Sequence, residues 1–229
     1  MFKPELLSPA GSQESVYAAV NNGADAVYLG GKQFGARQFA DNFSNTELEE
    51  IIDYCHLRGV KVYVTVNTLY KEKELKPMMD FVKCLYEAGA DAVIVQDIGA
   101  AMLIKEHYPK LSLHASTQLT ANNIEDVKYL KSKGFDKVVL SRELSLEEIK
   151  EIKNNVDIEL EVFIHGALCV SYSGQCIMSS MLAEEVETGE DVHRYAVCLL
   201  RFITDTRRFQ QDIFYLPKIL KHLRSYLSL

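Results

Sequence analysis

One unit recurs along the first 166 residues: a helical stretch closed by a glycine and followed at once by an apolar strand. Its clearest copies are Asn22-Gly23-Ala24-Asp25-Ala26-Val27-Tyr28-Leu29-Gly30 and Glu87-Ala88-Gly89-Ala90-Asp91-Ala92-Val93-Ile94-Val95. Gly134-Phe135-Asp136-Lys137-Val138-Val139-Leu140 is a third copy, and Arg58-Gly59-Val60-Lys61-Val62-Tyr63-Val64 a looser fourth. Glycine tolerates the left-handed backbone that ends a helix, so each copy turns the chain from helix into strand. Strict alternation of helices with continuously apolar strands requires a parallel sheet covered by helices.

The pattern predicts strands near 5–9, 26–30, 61–66, 92–96, 111–115, 137–141 and 159–165. Helices are expected between them, near 12–22, 44–58, 72–88, 98–107, 122–133 and 145–154. Ser44 with Glu47, and Ser145 with Glu148, have the spacing of capping boxes. A doubly wound sheet would be expected to carry a Gly-rich phosphate loop after its first strand, and Ser8-Pro9-Ala10-Gly11-Ser12 is not one. The expected fold is therefore α/β, an incomplete TIM-type (β/α) barrel of about seven parallel strands.

In such barrels the C-terminal ends of the strands form the active face. Those ends place Asn67, Gln96, Ser116 and Gln118 at one mouth as candidate substrate-binding groups. His114 and His165 are candidates for proton transfer near neutral pH, with Glu161 beside them. Arg142 could clamp a carboxylate or phosphate in bidentate fashion. The competing explanation for each is plainer: a strand cap, or a partner for a buried backbone group.

The run from Glu161 to Ser179 carries the densest chemistry. Glu161, Phe163 and His165 alternate with Val162 and Ile164, which predicts a strand reaching residue 165 and breaking at Gly166. Cys169 and Cys176 follow, seven residues apart in a Gly- and Ser-containing loop. They admit three readings: inert buried thiols, a Cys169 nucleophile with His165 as its base, or metal ligands. As ligands they are half a site, since zinc and iron–sulfur clusters usually take four. Cys55 and Cys84 lie in helical patterns and read as packing residues.

Glu161, Phe163, Gly166, Ala167, Leu168, Cys169, Gly174, Cys176 and Ser179 together resemble the motif of the collagenase-like peptidase U32 family. That motif reads Glu-x-Phe-x-x-Gly-(Ser/Ala)-aliphatic-Cys, four residues, then Gly-x-Cys-x-aliphatic-Ser. The resemblance implies a barrel-like catalytic half. It also implies a four-iron–four-sulfur cluster on four cysteines, with Cys169 and Cys176 as two of them and the others in a downstream Cys-x-x-x-Cys. One branch of the family makes 5-hydroxycytidine in ribosomal RNA and another does so in tRNA. The leading expectation is thus the N-terminal part of an iron–sulfur-dependent RNA cytidine hydroxylation enzyme, with rRNA or tRNA as partner. The alternatives are a collagenase-like peptidase centred on Cys169 and an inactive truncated remnant.

The resemblance covers residues 1–181, leaving 182–229 as a tail unlike the family. Codons permitted for Ala183 to Leu199, read one nucleotide earlier, can spell Ser-Gly-Asn-Arg-Gly and Cys-Ala-Gln-Val-Cys, both phrases at home in the family. The tail is therefore expected to be out-of-frame translation. Cys198 falls outside the Cys-x-x-x-Cys pair, so the cluster is expected to be incomplete or absent in this chain.

Composition sets the remaining bounds. The 229 residues are 48% apolar, enough for one sizeable core. A net charge of -7 gives no global attraction to nucleic acid or to an anionic membrane, although a local basic groove stays compatible with it. No apolar run approaches the roughly 18 residues of a membrane span, and Met1-Phe2-Lys3-Pro4-Glu5 does not open a signal peptide. Five cysteines scattered through helical and strand patterns do not form a secreted disulfide framework. A cytoplasmic protein is expected, with no membrane partner.

Overall fold

The computed structural model describes residues 4–35, 42–166, 169 and 171–176. The tail at 182–229, with Cys198, lies outside the described residues, as do Ala167, Leu168 and Ser179.

Among the described residues, seven strands alternate with six helices. In chain order they are β1 (Leu7–Pro9), α1 (Gln13–Asn21), β2 (Ala26–Gly30), α2 (Asn45–His56), β3 (Lys61–Val66), α3 (Glu72–Ala88) and β4 (Ala92–Val95). Then follow α4 (Ile98–His107), β5 (Ser112–Ala115), α5 (Ile124–Ser132), β6 (Lys137–Val139), α6 (Leu146–Asn155) and β7 (Glu159–Glu161). A 3-10 turn, Thr117–Leu119, follows β5. The strands pair in sequence order and every pairing is parallel.

The expected helix starts are present in atomic detail. Ser44 donates its backbone N–H to Glu47 at 2.7 Å and accepts the Glu47 N–H on its hydroxyl. Ser145 and Glu148 repeat that exchange at the start of α6. At the helix ends, Gly89 and Gly134 take φ of 85° and 86°, and Gly23 and Gly59 are also left-handed. A side chain at such φ is strained, which is why each copy of the repeat keeps glycine there.

The aspartate of the repeat has a role that pattern alone did not disclose. Asp25, Asp91 and Asp136 precede β2, β4 and β6, and their carboxylates accept the backbone N–H of Leu6, Val62 and Leu113 at 2.9, 2.7 and 3.0 Å. Each also donates its own N–H back to the carbonyl of that same residue. Each aspartate therefore staples the start of one strand to the strand before it, at the face opposite the site.

The sheet curls. Glu5, just before β1, meets Lys137 on β6 with Oε1 and Nζ 2.7 Å apart. In a flat sheet, five strand spacings of about 4.8 Å would hold those strands about 24 Å apart. Curling splits the core in two. Val27, Leu29, Val62, Val64, Val93, Val95, Leu113 and Val138 pack outward against the helices. Ala26, Tyr63, Ala92 and Ile94, with Leu7 and Tyr28, fill the inside.

β1 and β6 are each two residues shorter than expected, and β7 departs furthest. β7 ends at Glu161 rather than residue 165, and Val162, Phe163 and Ile164 are 41–54% exposed. Alternation at period two marks a strand only where a neighbour takes up its backbone groups. β6 itself ends at Val139, so beyond Glu161 its ladder stops.

Candidate functional site

The register rows place polar residues on the inner wall. Gly30, Thr65, Ile94, His114, Lys137 and Glu159 lie across from one another on β2 to β7. Two residues further along their strands, Val139 pairs with Glu161. Side chains alternate along a strand, so His114, Lys137, Ser141 and Glu161 all belong to the inner face.

The floor of the cup is a charge network. Glu5 accepts from Lys137 at 2.7 Å, Lys61 at 2.9 Å and the Tyr63 hydroxyl at 2.7 Å. Burial pushes the Glu5 carboxyl up, but these three donors outweigh it and hold it down to about 2. Lys137, its side chain 7% exposed, also lies 3.5 Å from Glu159. Burial first, then the bond to Glu5, raises the Tyr63 phenol well above its ordinary value.

Above the floor sit three polar atoms that are buried and, among the described residues, unpartnered: His114 Nδ1, Ser141 Oγ and Glu161 Oε2. Burial pushes the His114 imidazole down to about 3, with the Lys137 charge adding to that, so the ring is neutral. It meets the edge of Tyr63 at 4.6 Å between centroids. Burial pushes the Glu161 carboxyl up to about 7; Lys137 opposes that and Glu5 reinforces it. These groups come from β5, the residues just past β6, and β7, three neighbouring segments of the sheet.

The rim gathers three of the expected substrate-binding groups. Asn67 donates to Gln118 Oε1 at 2.9 Å, and the Ser116 hydroxyl donates to the same oxygen at 3.3 Å. Ser116 in turn accepts the Gln118 N–H. Gln96 lies half-buried at the end of β4, outside this trio.

Arg142 is engaged with the cysteine loop. Its Nε donates to Ser173 Oγ at 3.1 Å and its Nη2 to the Ser171 carbonyl at 3.2 Å. Glu143 accepts both the N–H and the hydroxyl of Ser173, and the Thr120 hydroxyl donates to the Ser173 carbonyl at 2.8 Å. Ser173 is consequently 1% exposed. Gly174 has φ of 74°, and a Cβ there would overlap the Gln118 carbonyl oxygen. The glycine before Cys176 thus has a physical reason: it lets the loop seat directly on the rim turn. Cys169 and Cys176 are both half-buried in that loop.

His165 stands apart, exposed beyond the end of β7. Cys55 is fully buried in α2, and Cys84 sits on α3 beside Asn45, Leu48 and Leu85. Among the described residues no three metal-binding side chains cluster, and two thiols are half of what a four-iron cluster takes. The described residues alone do not fit that group.

The profile of peptidase family U32 matches residues 11–195. The chain belongs to this family. Among its U32 relatives, tRNA hydroxylation protein P of Escherichia coli is 45% identical over 183 residues, 80% of this chain and 40% of that one. The 23S rRNA 5-hydroxycytidine C2501 synthase of Escherichia coli is 43% identical, across 83% of this chain and 28% of the synthase. A collagenase of Porphyromonas gingivalis is 35% identical, across 76% of this chain and 44% of the collagenase. The chain thus spans less than half the length of these relatives. The solved U32 peptidase Mk0906 superposes with a TM-score of 0.59 at 18% identity, over 71% of each chain, and agrees in fold.

Sequence reasoning missed Glu5, Tyr63 and Lys137. A lysine inside the apolar strand Lys137-Val138-Val139 was the available signal for the last. The other two reach the site through contacts that no local pattern encodes.

Proposed function

We propose that this U32 chain forms the barrel half of an RNA cytidine hydroxylation protein that works in the cytoplasm on tRNA or ribosomal RNA. In this reading Glu161 is the group that holds and moves a proton. One observation carries it: Glu161, the first residue of the family motif, keeps Oε2 buried and unpartnered inside the cup, with its carboxyl pushed up to about 7. At neutral pH such a group is divided between acid and carboxylate, as proton transfer to or from a pyrimidine requires. His114, also on the inner face, is neutral and brings no charge to the cup.

The rim suits a nucleotide. Gln118 Oε1 accepts from Asn67 and Ser116, so what its side chain can offer a ligand is its amide N–H donors. RNA as the partner is supported by the relatives that act on tRNA and 23S rRNA. Cys169 and Cys176 enter the proposal as half a ligand set, and no step of it runs through a cluster. A peptidase centred on Cys169 would need a base beside that thiol. His165 is exposed, and among the described residues no histidine or carboxylate bonds to the Cys169 thiol.

Mass spectrometry of nucleosides from tRNA and rRNA tests the proposal. Deleting the gene should remove 5-hydroxycytidine, the wild-type gene should restore it, and Glu161→Gln should not. Unchanged 5-hydroxycytidine in both RNA classes after deletion would contradict it.

A further inference from the structure

The polar floor of the cup has a consequence for the acid above it. Lys137 is buried on the inner wall of β6, and β6 is the strand that pairs with β7, which carries Glu161. A buried lysine beside a buried carboxyl ordinarily pairs with it and ionises it. Here Lys137 turns the other way, to Glu5 Oε1 at 2.7 Å, while Glu161 Oε2 has no partner among the described residues. Glu5 comes from the segment before β1, at the far edge of the sheet, and reaches Lys137 only through the curl.

The geometry points to Glu5 as a positioning residue: by engaging Lys137 at the closed end of the cup, it leaves the Glu161 carboxyl without a cation and therefore able to carry a proton. The inference rests on the proposed role of Glu161 and adds to it the residue that sets its state. The charged and titratable groups turned toward this interior are Glu5 before β1, Tyr28 on β2, Lys61 and Tyr63 on β3, His114 on β5, Lys137 on β6 and Glu159 on β7, while Asp136, just before β6, faces Lys105 and the Leu113 N–H outside it. Lys61 and Tyr63 are bound to Glu5 themselves, and His114 is neutral. Lys137 is thus the buried cation available to Glu161. Both the charge of Glu5 and its hold on Lys137 act in one direction, toward the protonated acid.

Carbon-13 NMR of the full chain, with glutamate carboxyls labelled and Glu161 assigned by its loss in Glu161→Gln, reads the protonation midpoint directly. In Glu5→Gln the Glu161 midpoint should fall by about one pH unit or more. Glu5→Asp, which keeps the charge, should hold the midpoint near that of the wild type. Lys137→Met should move it in the opposite direction, upward. An unchanged midpoint in folded Glu5→Gln overturns the inference. Should that variant fail to fold, Lys137→Met decides, and a midpoint that stays or falls overturns it. A wild-type midpoint in the ordinary carboxylate range is a different failure, because it removes the proton-carrying role of Glu161 and this inference with it.

Discussion

Glu5 and Lys137 are 132 positions apart in the chain and 2.7 Å apart in space, joining the first strand's approach to the sixth strand across the inside of the cup. That contact closes the curl, forms its floor and governs which cation faces the acid above. Replacing Glu5 by Gln leaves Lys137 with only the exposed Glu159 at 3.5 Å. Denaturant unfolding should show a loss of about 2 kcal/mol, below the value for fully buried pairs because Glu5 is partly exposed. Glu5 is held down to about 2, below its unfolded value, so its contribution is complete above about pH 4.5 and is lost as pH falls toward 2. The acid limb of the stability curve should therefore flatten in Glu5→Gln.

Glu161 should impose the opposite pH dependence. Its folded carboxyl is pushed up to about 7, above the unfolded value. Its neutral form is therefore favoured by folding, and stability should decline as pH rises from about 4.5 through 7. Glu161→Gln should abolish that decline, leaving the variant more stable relative to wild type at pH 8 than at pH 5. Urea midpoints at the two values measure it.

Seating of the cysteine loop depends on Gly174. Alanine there would meet both a left-handed backbone and the Gln118 carbonyl. Gly174→Ala should lift the loop off the rim while the sheet, which draws nothing from it, keeps its melting temperature. Alkylation of Cys176 should quicken several-fold. Equal rates in the variant and the wild type would show that the loop is held by other means.

Much of this fold was legible because its signals are local. Glycine at each helix end and β-branched runs after it depend only on neighbours in the chain, and the capping boxes at Ser44 and Ser145 are read over four residues. The meeting of Asn67, Ser116 and Gln118 was legible by position, since all three follow strand ends on one face of the sheet. What could not be read was whatever needs the register or the curl. The end of β7 depends on where its partner β6 stops, so the alternation from Glu161 to His165 misled. The engagement of Arg142 with Ser171 and Ser173 spans about thirty residues and has no sequence signature.

The aspartate staples offer an independent check on the fold. Asp91→Ala would strip the buried Val62 N–H of its 2.7 Å acceptor and His56 of its 2.9 Å partner. An unsatisfied buried donor costs about 1–3 kcal/mol, and thermal unfolding should register it. Asp25→Ala should cost less, because Leu6, whose N–H it accepts, is 46% exposed.

The account stands on Glu161 holding a proton inside the cup at neutral pH. Infrared difference spectra between the wild type and Glu161→Gln at pH 6 test this most directly. A protonated-carboxyl band present in the wild type and absent from the variant is the predicted result. A difference spectrum showing only loss of an ionised carboxylate would contradict it.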